Sequence, residues 1–320
     1  MAKLAIVGLG YLGTALGLAA RASQLFETVT GYDAHPENAQ AALAHGAVQA
    51  LARGARDVVE GAAVTLLAVP DDVLPGLLRG LRQAFEPGAV VSSTSLWMAP
   101  ATTAAEVLPE SVHFLAGRPV IDHARLPAAD ASAQALRGAV YCLDATPRAE
   151  AAALDTMSAL VRGFGAQPYF TTAQEHDGLL SASELLPRLV LEGLLHGLVG
   201  APTWREVGRL SGRGLAELET VNDELGAIAR WNIARNSESL RAALEDAAKE
   251  LQKLSRLLAE GEPALEAYQQ QCTAALESWQ STRRQLMDGT LPPTSELRPR
   301  LLGSLSPFAR RSRRQDRPRR

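Results

Sequence analysis

Cysteine is nearly absent: Cys142 and Cys272 are the two in 320 residues, and they stand far apart with no CxxC pair. That excludes a disulfide framework and a zinc site of ordinary spacing, and it suits a reducing, cytoplasmic compartment. Aromatic residues are scarce at 5%, and none interleaves with the arginines of 310–320 in the way that base stacking requires. Neither sign of charge dominates. A formal net charge of −3 implies no polyanionic partner for the chain as a whole and no specific nucleic acid. No stretch approaches the roughly 18 apolar residues of a membrane span. The apolar N-terminus is broken by Gly8, Gly10 and Gly13 with no signal cleavage site after it, so it reads as a strand. Neither a membrane partner nor a metal is expected.

What is present is a chain long enough for two domains, 47% apolar, with an abundance of alanine and leucine that leans towards helix. Strands are expected at 3–7, 28–32, 64–69, 89–92, 112–115, 139–143 and 168–170, each followed by a helical stretch. The run at 64–69 is apolar throughout, as in strands buried on both faces. Such alternation predicts an α/β Rossmann domain, doubly wound on a mostly parallel sheet, over 1–171.

Beyond Thr171 helical spacing takes over, which predicts an all-α substrate and dimerisation domain over 172–287. Leu240, Leu244, Ala247, Leu251, Leu254 and Leu258 form an apolar seam that ends at Gly261-Glu262-Pro263. A second seam, Leu265, Tyr268, Cys272, Leu276 and Trp279, is an antiparallel hairpin partner for it. Two readings stand: both seams pack inside the domain, or they form a dimer interface. Residues 288–320 make a basic tail, expected to be disordered, with seven arginines against one aspartate in 310–320.

The chemistry starts at Gly8-Leu9-Gly10-Tyr11-Leu12-Gly13. GxGxxG alone is a weak pattern, but here a strand precedes it, a helix follows it, and Asp33 lies 20 positions beyond Gly13. Gly8 permits the tight turn, Gly10 lets the backbone approach a pyrophosphate, and Gly13 lets helix and strand pack closely. The amides of Tyr11, Leu12 and Gly13 open the helix towards phosphate. Asp33 would accept hydrogen bonds from the adenosine ribose and repel a 2′-phosphate. Ala34 and His35 follow with no arginine, so NAD is expected, and NADP less so. Val69-Pro70-Asp71-Asp72 closes a strand and borders the cofactor crevice, and Asp71 or Asp72 is a candidate cap for the next helix, two roles that are compatible.

Several segments together resemble the prephenate/arogenate dehydrogenase family of tyrosine biosynthesis. They are Ile6-Val7 running into the glycine loop, Gly31-Tyr32-Asp33, Leu67-Ala68-Val69-Pro70, Pro87-Gly88-Ala89-Val90-Val91, Gly165-Ala166 and Glu175-His176-Asp177, with a similar helical segment around Asn236 and Leu240. The resemblance spans roughly residues 3–285 and implies an NAD(P)-dependent oxidoreductase, with a homodimer through the helical domain. In that family a hydride leaves the ring carbon bearing the hydroxyl, carbon dioxide departs, and the ring becomes aromatic. The resemblance further implies a histidine proton acceptor in a Gly-His-Pro motif, together with cations for an anionic metabolite.

This chain departs from the family at those positions. Gly117-Arg118-Pro119 stands at the Gly-His-Pro position, and Ser95-Leu96-Trp97-Met98 at a Gly-Ser-Val-Lys stretch. Leu186-Pro187-Arg188 stands at a Leu-Pro-His motif. A Phe-Arg-Asp motif has no clear counterpart, the nearest cations being Arg205, Arg209 and Arg213. An arginine stays charged at any relevant pH and cannot act as the base. Arg118 and Arg188 either form an anion clamp or pair with neighbours such as Asp122 or Glu184. His176 is either an alternative base or a residue that fixes a helix start; His113 and His123 are weaker candidates. The site therefore allows an oxidoreductase with a degenerate, altered centre, or a catalytically inactive NAD(H)- or anion-binding regulatory protein.

Overall fold

A computed structural model describes residues 2–121, 127–145, 150–212, 215, 230, 233–234 and 237–287. Asp122, His123, Arg213, Asn236 and the basic tail 288–320 lie outside the described residues. The chain divides into two compact units, with the first break after Asp177.

The first unit is built on one eight-stranded sheet in the order β3-β2-β1-β4-β5-β6-β7-β8. Its strands are β1 (Lys3–Val7), β2 (Thr28–Tyr32), β3 (Ala50–Leu51), β4 (Val64–Leu67), β5 (Val90–Ser93), β6 (His113–Pro119), β7 (Val140–Asp144) and β8 (Gln167–Thr171). All neighbours run parallel except β6 and β7, which are antiparallel. The Rossmann expectation holds, with β4 two residues shorter than expected and two larger differences. The two-residue β3 carries no periodicity that sequence reading could detect. β6 runs four residues past its expected end, because Gly117, Arg118 and Pro119 pair with Leu143, Cys142 and Tyr141 of β7.

The helices of this unit are α1 (Tyr11–Ser23), α2 (Pro36–Ala44), α3 (Ala55–Val59), α4 (Leu74–Leu81), α5 (Met98–Ala104), α6 (Ala151–Gly163) and α7 (Ala173–Leu180). Strand alternation sorts them onto two faces. From β1, Leu4 and Ile6 join one buried cluster with Leu12 and Leu16 of α1 and Met157 and Leu160 of α6. Ala5 and Val7 join the other, with Leu74, Leu78 and Leu81 of α4 and Met98 of α5. Each fully buried leucine contributes about 1.5–3 kcal/mol. A sheet covered on both faces leaves the ends of its strands as the place for a ligand.

The second unit begins at Gly178 and continues through a π-helical turn, Ser181–Leu185, into α8 (Leu186–Val199), then α9 (Trp204–Leu210), α10 (Ser237–Glu260) and α11 (Glu262–Met287), of which the residues from Thr282 on count with the first unit. Pro187 in the first turn of α8 has no N–H to continue the preceding ladder, which accounts for the wider turn. α8 and α10 pack together, and Leu240 and Ala243 at the start of α10 are buried. The seams expected to bury their length do not do so within this chain. Leu251 and Leu258 are 58% and 61% exposed, and Leu276 and Trp279 on α11 are 51% and 57% exposed. Gly261 turns the chain between the two helices, and Lys253 lies over the Tyr268 ring at 5.5 Å.

Candidate active site

The glycine loop folds as its spacing demands. Gly8 adopts φ +91°, and a Cβ there would lie 2.2 Å from the Ala68 carbonyl oxygen. A Cβ on Gly13 would lie 1.9 Å from the Gly8 carbonyl oxygen, so the close approach of α1 to β1 needs glycine. Gly10 differs: nothing lies within 4 Å of its would-be Cβ. It is the N-cap of α1, with no side chain capping it and no acidic residue in the first turn. The first helical bond, from the Thr14 N–H to the Gly10 carbonyl (2.9 Å), comes after the amides that open the helix. An uncapped helix start with open space at Gly10 is a cradle for an anion.

Asp33, at the end of β2, is tied into this loop. One carboxylate oxygen accepts the Leu9 N–H (2.6 Å) and the other the His35 N–H (2.8 Å). Each oxygen keeps a lone pair for a further donor. Val69 sits beside the loop, its Cγ1 3.2 Å from the position of a Gly8 Cβ, and Pro70 is exposed after it. Tyr11 is half-buried, while Leu12 sends its side chain into the core, so Leu12 can offer a ligand only its amide.

A second cluster surrounds the start of α5. The Asp177 carboxylate accepts the N–H of Met98 and of Ala99, both at 2.9 Å, and lies 2.8 Å from His176 Nδ1. Asp71 accepts the Trp97 N–H at 3.2 Å. Asp144, at the end of β7, accepts the Thr102 hydroxyl (3.0 Å) and the Ala173 N–H (3.2 Å), joining α5 to the start of α7. Sequence reading singled out His176 but not the helix-holding roles of Asp177 and Asp144. The expectation that Asp71 or Asp72 caps α4 is corrected: the N-cap of that helix is Val73, with no side-chain cap, and Asp71 turns instead to Trp97. At the position of the family's Gly-Ser-Val-Lys stretch, Ser95, Trp97 and Met98 are buried and Leu96 is exposed.

Burial pushes the Asp71 carboxyl above the ordinary range. Hydrogen bonds from Trp97, Ser95 and Leu96 oppose the rise, and the Asp177 charge adds to it. The native group therefore holds its proton to higher pH than the unfolded one. Its contribution favours folding below about pH 3.9 and is lost as pH rises through the native value. Carbon-13 titration of the Asp71 carboxyl should give a midpoint above about 3.9; a midpoint at or below that contradicts the burial argument.

The two arginines are placed separately. Arg118 is half-buried on β6 opposite Cys142. Burial pushes the Cys142 thiol up to about 11, with the Arg118 charge opposing it. Gly117 before it has no room for a side chain, its would-be Cβ lying 2.9 Å from both Ser92 Oγ and the Tyr141 ring. Arg188, in the second unit, pairs with Glu192 at 2.8 Å, one turn along α8 and not with Glu184. His113 lies 3.6 Å from Glu150, and Arg205 and Arg209 on α9 are exposed. Among the described residues there is no His/Cys/Asp/Glu group able to hold a metal, and no helix long and apolar enough to cross a membrane.

Comparison with known proteins agrees with this architecture. Prephenate dehydrogenase of Bacillus subtilis (strain 168) is 23% identical over 252 residues, covering 78% of this chain and 68% of that protein. The crystal structure of prephenate dehydrogenase from A. aeolicus, in complex with hydroxyphenyl propionate and NAD+, superposes with a TM-score of 0.72 at 18% identity, covering 87% of this chain and 98% of that one. Synechocystis arogenate dehydrogenase superposes with a TM-score of 0.70 at 20% identity, covering 87% and 99%. At these identities the superpositions establish the fold. Residues 16–170 match the family model for the nucleotide-binding domain of prephenate dehydrogenase. Fold, glycine loop and matched domain agree, and together they support the resemblance to the prephenate/arogenate dehydrogenase family.

Proposed function

We propose that this protein is an NAD-dependent oxidoreductase of the prephenate/arogenate dehydrogenase type, with a degenerate centre whose proton acceptor is His176 on α7 instead of a residue on β6. The observation that carries the reading is the cradle at Gly10: an uncapped helix start, open space where a side chain would stand, and Asp33 tied to the same loop. The residues present fit a dinucleotide. Gly8, Gly10, Tyr11, Leu12 and Gly13 would hold the pyrophosphate through backbone, Asp33 would hold the ribose, and Val69 and Pro70 would border the site. NAD, when bound, supplies a hydride acceptor. Asp33 disfavours the extra phosphate of NADP.

In this reading residues 1–171 hold the cofactor, and 172–287 serve substrate binding and dimerisation. The substrate is a small anionic metabolite, for which Arg118 and Arg188 supply positive charge. His176 accepts the hydroxyl proton. The exposed Leu251, Leu258, Leu276 and Trp279 support a homodimer through the helical domain.

A second reading is favoured by one observation: Arg118, which cannot accept a proton, occupies the β6 position that the family gives to histidine. The chain would then be a catalytically inactive NAD(H)- or anion-binding regulatory protein. Absorbance at the reduced-nicotinamide band separates the two, with prephenate or arogenate and NAD or NADP. Substrate-dependent reduction with NAD is expected, falling by about 10²–10⁴ in His176→Ala. NAD binding without any reduction at high protein concentration leaves the regulatory reading.

A further inference from the structure

We infer that Asp177 is a positioning residue that makes Nδ1 the proton-bearing nitrogen of His176 and thereby leaves Nε2 as the proton acceptor. This rests on the reading in which His176 is the base, and it adds which nitrogen acts and what fixes it.

An ionised carboxylate can only accept hydrogen bonds, so a nitrogen 2.8 Å from Asp177 Oδ1 must present its hydrogen there. A neutral imidazole carries one N–H; with that hydrogen on Nδ1, Nε2 is bare. The carboxylate cannot turn away to permit the other tautomer, because α5 holds it at both oxygens. The Met98 N–H donates to Oδ1 and the Ala99 N–H to Oδ2. Rotating the group would sacrifice two charge-assisted bonds in a place where Asp177 is 3% and His176 6% exposed, and water cannot replace them there.

The hold extends one step further. Asp71 takes the Trp97 N–H, and the Trp97 side chain is fully buried. The first turn of α5 is thus pinned between two carboxylates, and His176 inherits its orientation from it. When the O–H bond of a substrate hydroxyl breaks, its electron pair stays on oxygen and the proton forms an N–H bond at Nε2. The imidazolium so formed lies against the Asp177 carboxylate, which stabilises it without taking a proton.

The test reads the tautomer directly. In full-length protein labelled with nitrogen-15 at its six histidines, two-bond proton–nitrogen correlation assigns each ring, with His176→Gln identifying the resonance of interest. The neutral His176 ring is expected as a single Nδ1–H tautomer with Nε2 in the unprotonated range. A ring found as Nε2–H, or averaging both forms as free histidine does, overturns the inference. Asp177→Leu, which removes both acceptor oxygens, supplies the second readout in the folded protein: the Nδ1–H form should no longer dominate, and kcat should fall by about 10²-fold or more, with KM for NAD changed less than about twofold. An unchanged tautomer in that variant also overturns it. The tautomer of the parent protein is independent of turnover. Loss of the dehydrogenase reading in the absorbance assay is therefore distinguishable from loss of this one.

Discussion

Gly10→Ala folds like the parent protein and loses its dinucleotide. Gly10 already has φ −62° and ψ −167°, a conformation any residue adopts. Nothing lies within 4 Å of the new methyl group. The change costs an N-cap preference of about 0.5–1 kcal/mol, so the melting temperature should fall by no more than about 3 °C. The methyl group would nonetheless stand where the pyrophosphate must approach the backbone. Losing even one charge-assisted amide–phosphate bond costs about 1.5–3 kcal/mol, so NAD affinity should fall by about 10²-fold.

Gly8→Ala and Gly13→Ala are the controls. Their methyl groups would fall 2.2 and 1.9 Å from carbonyl oxygens, and each variant should lose about 3 kcal/mol or more of stability whether or not NAD is present. Calorimetric titration and thermal melts on the three variants separate a cradle from a merely tight turn. Parent-like NAD affinity in Gly10→Ala would falsify the cradle.

Asp177→Ala should be the most destabilising single change at the second cluster. It strands the amides of Met98 and Ala99 and the ring of His176. Leaving a buried donor unsatisfied costs about 1–3 kcal/mol. The three together suggest about 4 kcal/mol, since neighbouring losses are not additive. In a domain of this size that lowers the melting temperature by about 10 °C. Chemical denaturation should show the loss as a lower midpoint with an unchanged slope. Asp72→Ala provides the contrast, because that carboxylate holds no helix start, and it should stay within about 0.5 kcal/mol of the parent. Equal stability of the two variants would show that α5 does not depend on its remote cap.

How far the sequence alone led can be judged element by element. The strands β1 and β4 were legible because burial on both faces leaves a mostly apolar run. The glycine loop was legible because two close approaches of backbone to backbone, at Gly8 and Gly13, demand glycine. The seam on α10 was legible as spacing, but spacing does not say what covers it, and Leu251 and Leu258 emerged exposed. The partner of Arg188 was within reach of the helical four-residue rule, yet Glu184 and Glu192 satisfy that rule equally, and only the structure chose Glu192.

By itself, then, the sequence determined the alternation of elements, the place of the nucleotide loop and the absence of histidine from the β6 motif, all of which rest on local spacing and residue identity. The tertiary structure alone decided what Asp71, Asp144 and Asp177 do. Asp177 meets the Met98 amide across 79 positions of chain, and Asp71 meets Trp97 across 26. A carboxylate signals its charge in the sequence, but which helix start it caps is fixed only when the sheet brings distant strand ends together and burial removes water as the competing donor.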